Sequence, residues 1–217
     1  MQKLLIATNN KGKVEEIKDL LKDIRVKLVT PHDIDIKLRV EEDGSTYAEN
    51  AEKKALAFAL ASGLISLADD SGLEVDALNG APGLYSARYG SSLSLPPNSK
   101  NLGGDRGGRT DADRRAYLLK NLKDKPRPWT AEFHATIAIA IPGNPSVRFA
   151  KGECKGEIIP EERGTGGFGY DPIFFIPEVN RTMAELSMEE KNCLSHRARA
   201  IINAKPILKE MFGLSDR

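Results

Sequence analysis

Two adjacent carboxylates and a hydroxyl, Ala68-Asp69-Asp70-Ser71-Gly72, follow directly on the apolar run Leu64-Ile65-Ser66-Leu67-Ala68. Read as a buried strand, that run carries the acidic pair to a strand end, where open α/β sheets bind their ligands. Side chains alternate along a strand, so only one of the two aspartates can aim into a given site. Two carboxylates so close repel unless a cation, a donor or a proton comes between them. A hard divalent metal with oxygen ligands meets that need, above all if the ligand carries phosphates. The same residues would also suit a plain turn closing the strand.

Three further stretches have chemistry-bearing spacing. Thr8-Asn9-Asn10-Lys11-Gly12-Lys13 lies between a predicted strand (Lys3 to Thr8) and a helix whose apolar positions are Val14, Ile17, Leu20, Leu21 and Ile24. A helix N-terminus with a lysine beside it favours an anion, although Thr8 and Asn10 would serve equally as caps with Lys13 in solvent. The GxxxxGK[ST] phosphate loop is absent. Gly164-Thr165-Gly166-Gly167-Phe168-Gly169-Tyr170-Asp171-Pro172 lets backbone approach a ligand closely. Read as an extended loop, it puts the Phe168 and Tyr170 rings on one side, where they could hold a flat base or turn into the core. In the third, Lys191, Ser195, His196, Arg197 and Arg199 crowd the start of a helix predicted from Met188 to Asn203 and on to Phe212, with a kink or restart at Pro206.

The elements that must position these groups alternate between strand and helix. Lys27 to Thr30 reads as a second strand, followed by a charged passage from Asp33 containing Glu41-Glu42-Asp43-Gly44, and a helix from about Thr46 to Ser62 ended by Gly63. Pro82 opens a short helix through Tyr89. Residues 91–109 are rich in Ser, Pro, Gly and charge and read as a mobile surface insertion, with Arg106 and Arg109 solvated or acting as a substrate lid. A helix from Asp111 to Leu122 follows. Trp129 to Pro142 alternates, with Phe133, Ala135, Ile137, Ile139 and Ile141 on one face, and Ser146 to Ile158 reads as its hairpin partner. Within that partner, Gly152 and Gly156 mark bulges or the close approach of another element. Ile173 to Pro177 reads as a short strand. The alternation of strand and helix makes the fold class α/β, with the long hairpin forming a second lobe or an extension of the sheet.

The 217 residues suffice for a substantial core. Lys and Arg number 32 against 31 Asp and Glu, a balance that argues against a dedicated nucleic-acid or membrane-surface binder. The N-terminal apolar run is too short for a signal peptide, and no stretch is long enough to span a bilayer. Cys154 and Cys193 lack metal spacing and read as reduced thiols. A cytoplasmic protein is expected.

Taken in order, the Thr8–Lys13 stretch, Glu49-Asn50-Ala51, Asp69-Asp70-Ser71-Gly72, Gly80-Ala81-Pro82-Gly83 with Ser86-Ala87-Arg88-Tyr89, the Gly164–Pro172 stretch and Ser195-His196-Arg197 resemble the Ham1/RdgB family of purine nucleoside triphosphate pyrophosphatases. The resemblance covers nearly the whole chain. It implies an α/β fold with a long central mixed sheet, flanking helices and two lobes around a cleft, the second at roughly 129–175, and Mg²⁺-dependent hydrolysis of ITP, dITP and XTP to the monophosphate and pyrophosphate by a homodimer. By the same resemblance Thr8, Asn9, Asn10, Lys11, Gly12 and Lys13 hold the triphosphate. Asp70 becomes general base and metal ligand, Glu42 (or neighbouring Glu41) the second metal ligand, and Ser71 a substrate contact. Phe168, Gly169, Tyr170 and Asp171 match the base-binding loop, while Lys191, His196 and Arg197 close over base and phosphates. Arg197, with His196 as a second donor, would favour a 6-oxo purine over adenine, whose 6-amino group is itself a donor. The alternatives are a Maf-type pyrophosphatase and a non-catalytic nucleotide-binding module.

Overall fold

The computed structural model describes residues 1–91 and 110–214. The insertion expected at 91–109 lies, from residue 92 on, outside the described residues. One mixed sheet has the order β2-β1-β3-β4-β5-β6-β7. Its strands are β1 (Lys3–Ile6), β2 (Lys27–Val29), β3 (Ile65–Val75), β4 (Trp129–Ala140), β5 (Val147–Ile158), β6 (Phe174–Ile176) and β7 (Arg181–Thr182). The helices are α1 (Lys11–Leu20), α2 (Tyr47–Ser62), α3 (Asp111–Leu122), α4 (Met188–Leu194) and α5 (His196–Phe212).

The chain divides into two compact units, Met1–Ser71 with His134–Glu153 and Glu190–Arg217, and Gly72–Phe133 with Cys154–Glu189. Of the stretch 129–175, residues 134–153 belong to the first unit and the remainder to the second.

In the first unit β1 pairs in parallel with both β2 and β3. Alternation along β1 and β3 then sorts the core into two layers. Leu4, Ile6 and Leu67 meet Ile17 and Leu20 of α1, Leu21 just after it, and Ala198, Ile201 and Ala204 of α5. Leu5, Ala7 and Ala68 meet Ala51, Ala55, Phe58 and Ala59 of α2. So α1 and α5 cover one face of β1–β3 and α2 the other. The chain leaves β1 toward β2 on one side and returns to β3 on the opposite side, which makes the carboxyl ends of β1 and β3 a topological switch point.

Two expectations need correction here. β3 does not end at Ala68 but runs on to Val75, so Asp69, Asp70 and Ser71 are strand residues. The pairing with β1 stops at Ile6–Leu67, however, because β1 gives way to the loop before α1. The acidic pair therefore lies just past the last parallel rung. The C-terminal helix restarts at Ser195 and not at Pro206, which sits inside α5. Pro206 removes a bond to the carbonyl of Ile202, and both residues are exposed, so water can replace it.

In the second unit Phe133 packs against Phe174, ring centroids 4.5 Å apart, and Leu73, Val75, Leu118, Leu122 and Trp129 are also buried. The expected α3 is observed with both ends as read, opened by a Thr110–Asp113 capping box. Gly152 and Gly156 are both sites of close approach. A Cβ on Gly152 would stand 2.3 Å from the backbone of His196 and Ala200, and one on Gly156 2.5 Å from the Phe175 carbonyl.

Candidate active site

The first unit gathers its buried charged side chains at the switch point, and alternation gives the two aspartates different partners. Asp69 faces α1 and α5. Its Oδ2 lies 2.6 Å from Lys13 Nζ and accepts from Arg197 Nη2 and Nε at 3.3 and 3.4 Å. Burial opposes its charge, but Arg197 and then Lys13 outweigh that and hold the carboxyl far below the usual carboxylate range. Its Oδ1 is buried with no hydrogen-bond partner among the described residues.

Arg197 donates further to Glu16 Oε2 at 2.5 Å and Ser71 Oγ at 3.0 Å, and Glu16 Oε1 meets Lys191 Nζ at 2.6 Å. Arg197, Lys191, Glu16 and Asp69 are all buried. Five expected site residues (Lys13, Ser71, Lys191, His196 and Arg197) thus come together on one side of β3, with Glu16, which the sequence reading passed over. Glu16 lies one turn from Lys13 and one from Leu20; a carboxylate in that apolar row was the available signal. Arg197 thus directs four of its five N–H donors to Asp69, Glu16 and Ser71. His196, the first residue of α5, is held well below the ordinary imidazole range by burial and by Arg197, and is neutral at physiological pH. A neutral imidazole offers a single N–H.

Asp70 faces α2. Lys54 Nζ donates to Glu42 Oε1 at 2.9 Å and to the Asp69 carbonyl at 2.7 Å, and lies 3.5 Å from Asp70 Oδ1. Burial pushes the Asp70 carboxyl up, and although Lys54 and Lys13 oppose this, Glu42 and Asp69 reinforce it. Burial also works against the Lys54 charge, but Asp70 and Glu42 win and raise its affinity for the proton. Lys54 was missed too. It stands between Ala51 and Phe58 on the buried stripe of α2, where a cation signals a buried partner. The Glu42 loop is anchored by buried Asn50, whose Oδ1 accepts the Gly44 N–H at 2.8 Å.

The phosphate-type loop is built as a cap. Thr8 Oγ1 accepts the Asn10 N–H at 3.2 Å and Asn10 Oδ1 accepts the Lys13 N–H at 3.1 Å. These bonds orient the first turn of α1, whose remaining N–H groups have no intrahelical acceptor. Asn9 and Lys11 are exposed. Asn9 borders a cavity of about 810 Å³ also lined by Pro31, His32, Lys37 and Arg39.

The glycine-rich loop belongs to the second unit, and it is not extended. The Asp171 N–H donates to the Phe168 carbonyl at 3.2 Å, closing a turn that contains Gly169, with φ of +63°, and is preceded by Gly167, with φ of +70°. Alternation does not apply within such a turn, so the two rings do not share one side on that ground. Tyr170 is buried, its hydroxyl donating to the Ser86 carbonyl at 2.9 Å, whereas Phe168 is half-buried. Buried Asp171 accepts the Phe168 N–H at 2.9 Å.

A sequence profile described as the Ham1 family matches residues 4–207. The chain belongs to the Ham1 family. It is 46% identical over 211 residues to a dITP/XTP pyrophosphatase of Desulforamulus reducens, spanning 97% of each chain. It is 45% identical to the protein of the same name from Geobacter sulfurreducens, spanning 98% of each. The solved HAM1 protein of Coxiella burnetii superposes with a TM-score of 0.80 at 38% identity, over 97% of this chain and 100% of that one. No helix among the described residues is long and apolar enough to cross a membrane.

Proposed function

We propose that this Ham1 protein is a nucleoside triphosphate pyrophosphatase that hydrolyses non-canonical purine nucleotides (ITP, dITP and XTP) to the monophosphate and pyrophosphate, with Mg²⁺ as cofactor. The observation that carries the reading is the pairing of Asp70 with Glu42 around one buried cation, beside the capped start of α1. Membership of a family whose relatives are named dITP/XTP pyrophosphatases supplies the substrate class.

The donor set fits magnesium. Glu42 and Asp70 are hard oxygen donors converging on a single lysine, and that lysine leaves Asp70 short of positive charge. Among the described residues no group of three or more His, Cys, Asp or Glu side chains could hold a metal. Mg²⁺ binds through one or two carboxylates and completes its shell with water and substrate phosphates. When bound there, Mg²⁺ supplies positive charge to the phosphate oxygens and acidifies a nearby water.

The chain's own residues do the rest. Asp70, with its raised proton affinity, is a stronger base than an ordinary carboxylate and takes the proton of the water that attacks the α-phosphorus. Lys54 stands between the two acids and balances their charge as that proton arrives. Thr8, Asn9, Asn10, Lys11 and Gly12 present the α1 N-terminus, and Lys13 its ammonium, to the developing charge of the leaving pyrophosphate. Ser71 contacts the substrate, and Lys191 closes over it. Arg197 and neutral His196 donate to a 6-oxo group, so the 6-amino group of adenine would leave unpaired donors in a dry site. The loop Phe168–Asp171 contacts the base, with half-buried Phe168 as its apolar surface. On the resemblance alone, the enzyme works as a homodimer in the cytoplasm.

A panel assay tests this reading: pyrophosphate release from ITP, XTP, ATP, GTP and dTTP, each with and without Mg²⁺. The expected result is fast, Mg²⁺-dependent release from ITP and XTP and slow release from the other three. Equal rates on ATP and ITP, or release of inorganic phosphate in place of pyrophosphate, would overturn it.

A further inference from the structure

We propose that Asp111 and Arg115 are positioning residues that grip Gly169 by both of its backbone polar groups and thereby set the affinity for the base. The proposal rests on the reading above, in which the loop Phe168–Asp171 meets the purine.

Asp111 and Arg115 are one turn apart on α3 and so lie on one face. Asp111 Oδ2 accepts the Gly169 N–H at 2.8 Å, and Arg115 Nη1 donates to the Gly169 carbonyl at 2.9 Å. Each side chain is itself aimed by a second charge. The other edge of the Arg115 guanidinium forms a two-pronged pair with Glu162, Nε to Oε1 at 2.8 Å and Nη2 to Oε2 at 2.9 Å. The second oxygen of Asp111 pairs with Arg114. A carboxylate in the first turn of α3 is further favoured by the helix dipole.

A plain surface ion pair contributes little and needs no third partner. Here the pair is built onto the backbone of a glycine in the left-handed region, next to the half-buried phenylalanine of the loop. A Cβ on Gly169 would meet nothing within 4 Å, so the glycine is there for its φ of +63° and not for space. Gly167 and Gly169 flank Phe168 with residues that have the most conformational freedom to lose. The Asp171 carboxylate holds the Phe168 N–H on one side of the ring's attachment, and the α3 clasp holds Gly169 on the other. Tyr170, tied to Ser86, anchors the turn from within the unit. With the clasp intact Phe168 is delivered to the base already ordered; without it, binding must order the loop first, a cost that falls on affinity and not on the chemical step.

The test compares Arg115→Met and Arg115→Lys with the unaltered protein on ITP and GTP, with Phe168→Ala as the reporter of base contact. Arg115→Met is expected to raise KM for ITP about tenfold while kcat stays within about twofold, as loss of a charge-assisted hydrogen bond that acts only on binding would do. Arg115→Lys, a point charge that cannot bridge Glu162 and Gly169 together, should fall between the two. KM for GTP should rise in the same order, with the melting temperature little changed. If Phe168→Ala raises KM but Arg115→Met does not, the clasp is wrong and the base reading stands. Should Phe168→Ala leave KM unchanged, the loop does not meet the base and both fall. A parallel fall of kcat and melting temperature in both Arg115 variants would make the residue a structural support only and overturn the proposal.

Discussion

Asp69 and Asp70 are neighbours in sequence and opposites in chemistry, because a strand turns adjacent side chains to different faces and each face has its own helices. Asp69 faces Lys13 and Arg197 and is held charged; Asp70 faces one lysine shared with Glu42 and is held reluctant to ionise. The stability consequence of Asp69 follows from its sign. Its folded-state pKa lies below the unfolded value of about 3.9, so its contribution is complete above that value and is lost as pH falls toward the folded one. Asp69→Asn leaves Lys13 and Arg197 buried without their main countercharge and should cost about 3–5 kcal/mol at neutral pH. Chemical denaturation at pH 7 and at successively lower pH checks this: the gap between variant and parent should be widest at neutrality and close in acid.

At the scale of elements, the site depends on how closely β5 and α5 approach. Gly152 puts the β5 backbone against His196 and Ala200, so Gly152→Ala would drive a methyl into backbone that cannot yield like a side chain. The expected result is a loss of about 1–3 kcal/mol in stability, with lower ITP turnover because α5 carries His196 and Arg197. Thermal unfolding and a kcat measurement on the same preparation would show both; a variant as stable and active as the parent would contradict the packing account. Much of this level was legible in the sequence. α3 and the cap of α1 were readable because their signals are local: a Thr-x-x-Asp box and Asn10 before Lys13. The close approaches at Gly152 and Gly156 announced themselves as glycines inside strands. What could not be read was tertiary. The length of β3 depends on where its neighbour β1 stops, and the break at Ser195 is a capping choice that Pro206 masked. Lys54 and Glu16 stand out in sequence only as charges on buried stripes; that their partners are Asp70 and Arg197 is decided by the sheet.

For the whole molecule, the order β2-β1-β3 decides where chemistry can happen, because it sends α1 and α2 to opposite faces and leaves the carboxyl ends of β1 and β3 open to a ligand. The first unit then carries every acid and base assigned to the phosphate chemistry, and the second carries the glycine-rich loop and the helix that clasps it. Motifs that are hundreds of ångströms apart in an extended chain are thus sorted by topology, which no single motif reveals. The account turns on one assignment, that Asp70 is the base and Asp69 the scaffold. The most direct test is Asp70→Asn, measured for kcat, KM and melting temperature with ITP and Mg²⁺ at pH 7. Turnover is expected to fall by about two orders of magnitude or more with KM changed only a few-fold. The fold should be no less stable, since the amide relieves a buried charge that burial and Glu42 disfavour. Near-parental turnover, or a collapse in stability like that expected of Asp69→Asn, would contradict the division of labour between the two aspartates.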